Sequence, residues 1–359
     1  MYVALAREYL VKRMPDTGHL HRPSCPSFEP DVAQSGMGAL TGSAVRELDT
    51  GRIELRVDFP WTRRPASAMK AATPSASGQV EATDPRMSLR ALMHLLFDRA
   101  GFNRWTPAME GRRRWGVIRK YLLEAAEQID VAGGPLTERL FVPEVFDEAT
   151  RAEAAHRRRQ KLAVLSPHDG ATPLALIIGE FKVVEAVDEG RRVWIRHLPD
   201  TPLLVEERVW QRLARRYAPL FEARDADTGL RIHLILAALI KTRREFTYEI
   251  DAASLMMTSE QWIPVEGVHE LPLIDALVTQ GRRFLKPLRF DVPSAEAFAN
   301  VLLLDAGPQA VPLHLVSPYL DERSRAVKQR AISRSQPSPW VWQTDQPMPP
   351  LPIAARSPG

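Results

Sequence analysis

The chain of 359 residues has a single cysteine, Cys25, so no internal disulfide framework holds it together, which fits a reducing compartment. No apolar run approaches the ~20 residues that a membrane helix needs. The longest covers 232–240 and is interrupted by His233. The first residues lack the basic-then-apolar layout of a signal peptide, so the expectation is a cytoplasmic chain with no membrane partner. A charge excess of one sign is also scarce. The 48 Lys and Arg against 44 Asp and Glu leave +4, which permits nucleic-acid contact without demanding it. There is no phosphate-binding glycine loop, no nucleophile elbow, no Cys-x-x-Cys pair and no internal repeat. The loop Ser35-Gly36-Met37-Gly38 is too isolated to count as one.

What is present reads as an α+β protein. With 45% hydrophobic and 26% charged residues, the composition is that of an ordinary globular chain long enough for more than one core. Residues 1–60 alternate strand-like stretches with Gly, Pro and Ser and form a small N-terminal module. Residues 61–83 are rich in Ala, Ser and Pro and read as a flexible linker. A middle section, 84–261, opens with Asp84-Pro85 as a helix start. Leu89, Leu92, Met93, Leu96 and Phe97 then recur at helical spacing. A second helix is predicted over 115–129, with Trp115, Ile118, Leu122 and Ala125 inward, and a charged third over 148–162. Strands are expected over 174–184 and 192–198 around the turn at Asp188-Glu189-Gly190, then a helix around Trp210, then a buried strand over 230–240. Residues 262–345 read as an α/β module with helices over 273–284 and 321–332, strands over 299–305 and 312–316, and a closing strand at 340–343. The Pro-rich stretch 346–359 reads as a disordered tail.

Three constellations carry chemistry. Asp305 ends one apolar stretch, and a second follows after Gly307-Pro308. A lone acid so placed is how metal-dependent nucleases present a first carboxylate, and 281–316 resembles the PD-(D/E)xK type. Such a site gathers two or three carboxylates around a divalent ion, usually with a lysine for the water. Glu270, heading the preceding helix, stands where an additional acid belongs. His314 and Val316 occupy the acid and lysine positions of the second strand. Asp305, Glu270 and His314 are therefore the candidate catalytic residues of a catalytically degenerate nuclease-like module. The plain alternative is that Asp305 only opens a turn. His19, His21 and Cys25 form His-x-His-x3-Cys, a partial zinc ligand set, against the plain reading of solvent-facing loop residues. Basic runs at Arg112, Arg113 and Arg114, at Arg157, Arg158 and Arg159, and at Arg208, Arg212, Arg215 and Arg216 suit phosphate contact. Neighbouring glutamates make ion-paired helix faces an equal explanation. The tryptophans read as core.

Several segments together resemble an uncharacterised bacterial family, the domain of unknown function eleven-seventy-three. They are MYVA, LVKRMPDTGHLHRPSC, SGMGALTGSAV, LRALMHLLFDRAGFNRWTPAMEGRRRW, IIGEF, RHLP, EQWIPVEG, FLKPLRFD and the closing Trp-x-Trp. Members have three cysteines near the N-terminus and are often encoded on conjugative or integrative elements. Only Cys25 matches here: either the other two lie before Met1 in a longer form, for which the resemblance implies zinc at the N-terminus, or this copy has lost them. The expected function is a nucleic-acid-associated accessory factor of such elements, with DNA or a mobile-element protein as partner. The alternatives are a protein–protein interaction module and a metal-dependent nuclease with an atypical site.

Overall fold

The structure, a computed structural model, describes residues 2–5, 8–11, 17–25, 27–48, 51–64, 85–226 and 231–355. It is α+β, and the chain divides into two units. The larger comprises Leu40–Phe102 and Gly111–Gly267; the smaller comprises Met1–Ala39, Asn103–Glu110 and Val268–Gly359. These bounds differ from the modules expected at 1–60, 84–261 and 262–345. Composition tracks neighbours along the chain, whereas the units follow strand pairing between distant segments.

In the larger unit, helix α1 spans Leu89–Arg99 and helix α2 spans Trp115–Glu127. The cap of α1 is Ser88, whose Oγ accepts from the N–H of Ala91, and not the expected Asp84, which lies outside the described residues. Met87, just before it, bridges to the strand-like residue Val57, so the helix cannot begin earlier. Trp115, Ile118, Leu122 and Ala125 face inward as their spacing predicts. Helix α3, Arg151–Lys161, buries none of its residues.

Besides a four-stranded sheet of Val45–Glu47, Ile53–Leu55, Ile129–Val131 and Gly134–Pro135, this unit has five central strands, Ala175–Val187, Gly190–Ile195, Leu203–Val205, Ile232–Arg244 and Thr247–Ser259. The first pairs with the second, the second with the third, the third (in parallel) with the fifth, the fifth with the fourth and the fourth with the first. The pairings therefore close into a ring, which removes open edges. Closure requires the first strand to serve two partners. Residues 175–180 pair with the fourth strand and 181–187 with the second, and a bulge between Phe181 and Val183 bends the strand where it changes partner. Gly179 sits at that bend; a Cβ there would lie 2.3 Å from Ile195 Cγ2 on the second strand. Helices α4, Glu207–Arg216, and α5, Ala218–Asp225, fill the connection between the third and fourth strands. They pack on the barrel through Trp210 and Phe221, whose rings lie 6.5 and 5.3 Å from that of Phe181.

The expected linker begins as structure. Trp61 is buried and Thr62–Arg63 pairs with Thr172–Pro173; the remainder, 65–83, lies outside the described residues.

In the smaller unit, a five-stranded sheet has the order Trp340–Gln343, Val311–Val316, Val301–Leu303, Phe284–Leu285, Arg104–Trp105. The expected neighbours around the Gly-Pro turn are adjacent and antiparallel. Helix α6, Leu271–Thr279, precedes the sheet strands of this segment. Helix α7, Glu322–Arg334, makes the crossover that the parallel pairing of Val311–Val316 with Trp340–Gln343 requires. The stretch after 346 is not loose up to Ala355. Pro350 O accepts from Trp340 Nε1, Pro352 O accepts from Arg282, and Ala355 N–H donates to Asp305 O. Proline carbonyls remain good acceptors even though the residue has no N–H to give. Residues 356–359 lie outside the described residues.

Candidate nucleic-acid interface

The ring of strands carries a cleft of about 650 Å3 on the outer face of its second and third strands. Its walls come from the first–second turn (Asp188, Glu189), from Arg192 and Leu204 on the second and third strands, and from the fourth–fifth turn (Arg244, Phe246). Strand alternation explains the placement. Val193, Leu203 and Val205 are buried inside the ring, so Arg192 and Leu204 must point outward. The turn between the long fourth and fifth strands is two residues, Glu245-Phe246, with Arg244 opposite Thr247. Such turns favour Gly or Asn where φ is positive. Here Phe246 holds φ +57° and leaves 54% of its surface exposed. A large apolar ring kept on display in a disfavoured backbone region is a feature that packing does not explain.

The charges around that ring sort into two groups. Arg243 is neutralised by Glu189 at 2.9 Å and lies 3.8 Å from Glu249, and Arg158 is neutralised by Asp200 at 3.0 Å. Arg192 and Arg244 make no ion pair among the described residues. The Arg159 guanidinium sits over Phe246, 5.3 Å from its centroid, and among the described residues it donates only to Ala155 O. Among the described residues the nearby acids Asp188 and Glu245 make no ion pair. An exposed aromatic ring flanked by unneutralised guanidinium groups can stack a base and contact phosphates.

The basic runs read from the sequence part company here. Arg158 and Arg159 touch lining residues of this cleft, Asp200 and Phe246, but Arg157 is turned away into a two-point pair with Glu144. Arg113 is structural: it donates to the carbonyls of Gly101, Phe102 and Gln261, and burial lowers its pKa to about 10. Arg112 and Arg114 are exposed. Arg192, Arg244 and Phe246 were not among the residues singled out above. The signal available was Arg243-Arg244-Glu245-Phe246, a turn between two long apolar strands that offers an aromatic side chain in place of the usual Gly or Asn.

In the smaller unit the expected catalytic residues are engaged in structure. Asp305 accepts from Arg282 Nη2 at 2.8 Å, from Arg282 Nε, and from the N–H of Arg283 at 2.8 Å. A carboxylate clamped by a two-point guanidinium has little left for a metal ion. Glu270 is buried and accepts from Asn300 Nδ2 at 2.7 Å and pairs with Lys286 at 3.0 Å. Asn300 is the hub of this network: its Oδ1 accepts from Lys328 Nζ at 2.6 Å and from the N–H of Leu315. Lys328, fully buried, also pairs with Glu296 at 3.1 Å. Each buried charge thus has an opposite charge, as burial demands. Desolvation outweighs these partners and still lowers the Lys328 pKa.

His314 is buried beneath α7, 2.9 Å from Ser335 Oγ. Because Ser335 Oγ donates to Ala331 O, it accepts from His314 Nε2–H, which leaves Nδ1 bare. Burial, with Lys328 nearby, lowers the His314 pKa to about 3. At the N-terminus, Cys25 Sγ lies 3.5 Å from His21 Nδ1, while His19 is exposed. No group of three or more His, Cys, Asp or Glu side chains converges as a metal site among the described residues.

Residues 1–345 match the family described as Protein of unknown function (DUF1173), and the chain belongs to that family. No curated protein and no solved structure matches it. Among the described residues no helix is long and apolar enough to cross a membrane.

Proposed function

We propose that this protein binds single-stranded nucleic acid without cleaving it, in the cleft around Phe246. The strand order of the ring, with a helix between its third and fourth strands, is that of the OB-type Greek-key barrel. Such barrels bind oligonucleotides and oligosaccharides on the second–third strand face, between the first–second and fourth–fifth loops. Strand order alone does not decide function, so the argument rests on the site. The single observation that carries it is Phe246, exposed in a left-handed turn at that place, with Arg159, Arg192 and Arg244 unneutralised around it. Those cations favour a polyanion over a neutral saccharide. Sequence-independent strand binding also suits the accessory role on conjugative or integrative elements that the family resemblance implies. Asp305, clamped by Arg282 and Arg283, supports a binding role over metal-dependent cleavage.

The test is a fluorescence-anisotropy titration of the full chain with a labelled single-stranded 20-mer over a range of salt. Affinity should fall with salt at a log–log slope of about −0.7 per phosphate contact. Phe246→Ala should weaken binding by about 1–3 kcal/mol, the worth of one stacked base. Arg192→Gln and Arg244→Gln should each reduce the salt slope. Binding that ignores all three substitutions, or none at all at low salt, rejects the proposal.

A further inference from the structure

A second cavity, of about 390 Å3, opens in the smaller unit between helix α7 and the sheet. That volume lies in the range of small-molecule sites. Its α7 wall is one helical face, Val327, Arg330, Ala331 and Arg334, at spacings of three and four residues. Ala331 makes the room, because it stands where a larger side chain would close the space against the sheet. The opposite wall is apolar, with Phe298, Leu302 and Pro312, and His314 lies at the floor.

The lining contains two arginines and no carboxylate. Arg330 and Arg334 are exposed, make no hydrogen bond or ion pair among the described residues, and stand one turn apart. Like charges at that spacing cost a helix a few tenths of a kcal/mol, and no acid on the neighbouring turns relieves it here. The other cation close by, Lys328, is already spent on Glu296 and Asn300. His314 adds no charge at neutral pH.

We propose that this cavity binds a phosphate monoester carried on an apolar body of nucleoside size. The net charge of +2 in the lining matches a monoester, which carries about −1.5 to −2 at pH 7, better than a carboxylate or a diester, each of which carries one charge. Two guanidinium forks one turn apart can donate to separate oxygens of one tetrahedral group. The apolar wall of Phe298, Leu302 and Pro312 then covers the body of the ligand.

Isothermal titration of the full chain with adenosine monophosphate, inorganic phosphate, adenosine and a single-stranded oligonucleotide tests this directly. The expected result is saturable binding of adenosine monophosphate, at least ten-fold tighter than inorganic phosphate or adenosine. Arg330→Gln with Arg334→Gln should weaken it at least ten-fold, and Ala331→Leu should abolish it by filling the cavity. Phe246→Ala should leave it unchanged, which separates this site from the strand-binding cleft. If Ala331→Leu fails to fold, the surface arginine pair still decides. The proposal is overturned if adenosine monophosphate does not bind, if inorganic phosphate binds as tightly, if the oligonucleotide alone binds, or if binding survives the arginine substitutions.

Discussion

His314 and Asn300 show how much of the smaller unit hangs on single buried polar groups. His314 is held neutral in the fold with its pKa lowered to about 3, whereas an unfolded imidazole titrates near its ordinary value of about 6.5. Its contribution to stability is therefore complete above pH 6.5 and is lost as pH falls from there toward 3. At about 1.4 kcal/mol per pH unit, roughly 2 kcal/mol should be gone by pH 5. Urea unfolding of the wild type and of His314→Gln should show the gap between them shrinking by that amount from pH 6.5 to pH 5. A gap that stays constant means that the ring is protonated in the fold. Asn300→Ala takes one hydrogen bond from each of three groups: the N–H of Leu315, the Lys328 ammonium and the Glu270 carboxylate, the last two keeping their ion pairs with Glu296 and Lys286. With about 1–3 kcal/mol for the buried N–H left without an acceptor and less for each charge that keeps its ion pair, a loss of about 2–4 kcal/mol is expected in the same experiment.

At the scale of elements, the fourth–fifth strand turn trades stability for display. A non-glycine residue in the left-handed region costs roughly 1–2 kcal/mol, and Asn tolerates that region far better than Phe. Phe246→Asn should therefore raise the unfolding free energy by up to about 1 kcal/mol while weakening strand binding. A variant that loses both, or keeps both, contradicts the role assigned to the ring. Gly179 carries the bend of the first strand. Gly179→Ala should cost about 1–3 kcal/mol by overpacking against Ile195. Added to Ile195→Ala it should cost less than the sum of the two, since the second substitution removes the clashing methyl.

These elements also show what was legible. Helix α2 and the neighbouring strands Val301–Leu303 and Val311–Val316 follow from apolar periodicity and turn residues, which act locally. The ring is not legible in that way. Its third strand is three residues long and its parallel pairing with the fifth joins segments about 45 residues apart, a contact no short window contains. The charge runs were visible, yet which arginines remain unpaired depends on acids brought in from elsewhere, as Glu144 and Asp200 are for Arg157 and Arg158. The clamp on Asp305 was hidden for the same reason. Arg282, 23 residues earlier, turns back to clamp it.

For the whole molecule, the smaller unit cannot be cut out as its C-terminal stretch. Trp105, fully buried, belongs to its sheet through the pairing of Arg104–Trp105 with Phe284–Leu285. Phe28 lies in the same hydrophobic cluster as Leu285, Leu302 and Leu304. The fragment 268–359 alone should stay unfolded, seen as collapsed amide dispersion in its NMR spectrum. A well-dispersed spectrum would show that the first 39 residues are dispensable to this core.

The seating of Gly36 against the far end of the chain sets a timetable for synthesis. Its N–H donates to Leu288 O, and the gap to Arg289 admits no side chain at all, since a Cβ would fall 1.9 Å from the Arg289 carbonyl oxygen. The residue at 36 thus leaves the ribosome with its berth still untranslated. At about 5–20 residues per second, the roughly 250 residues between them take on the order of ten to fifty seconds to make. For that interval the segment around Gly36, Phe28 included, lacks the partners it has in the fold, while the ring of the larger unit can already be closing behind it. Nascent-chain crosslinking should find chaperones on this leading segment until translation passes Arg289, and not afterwards.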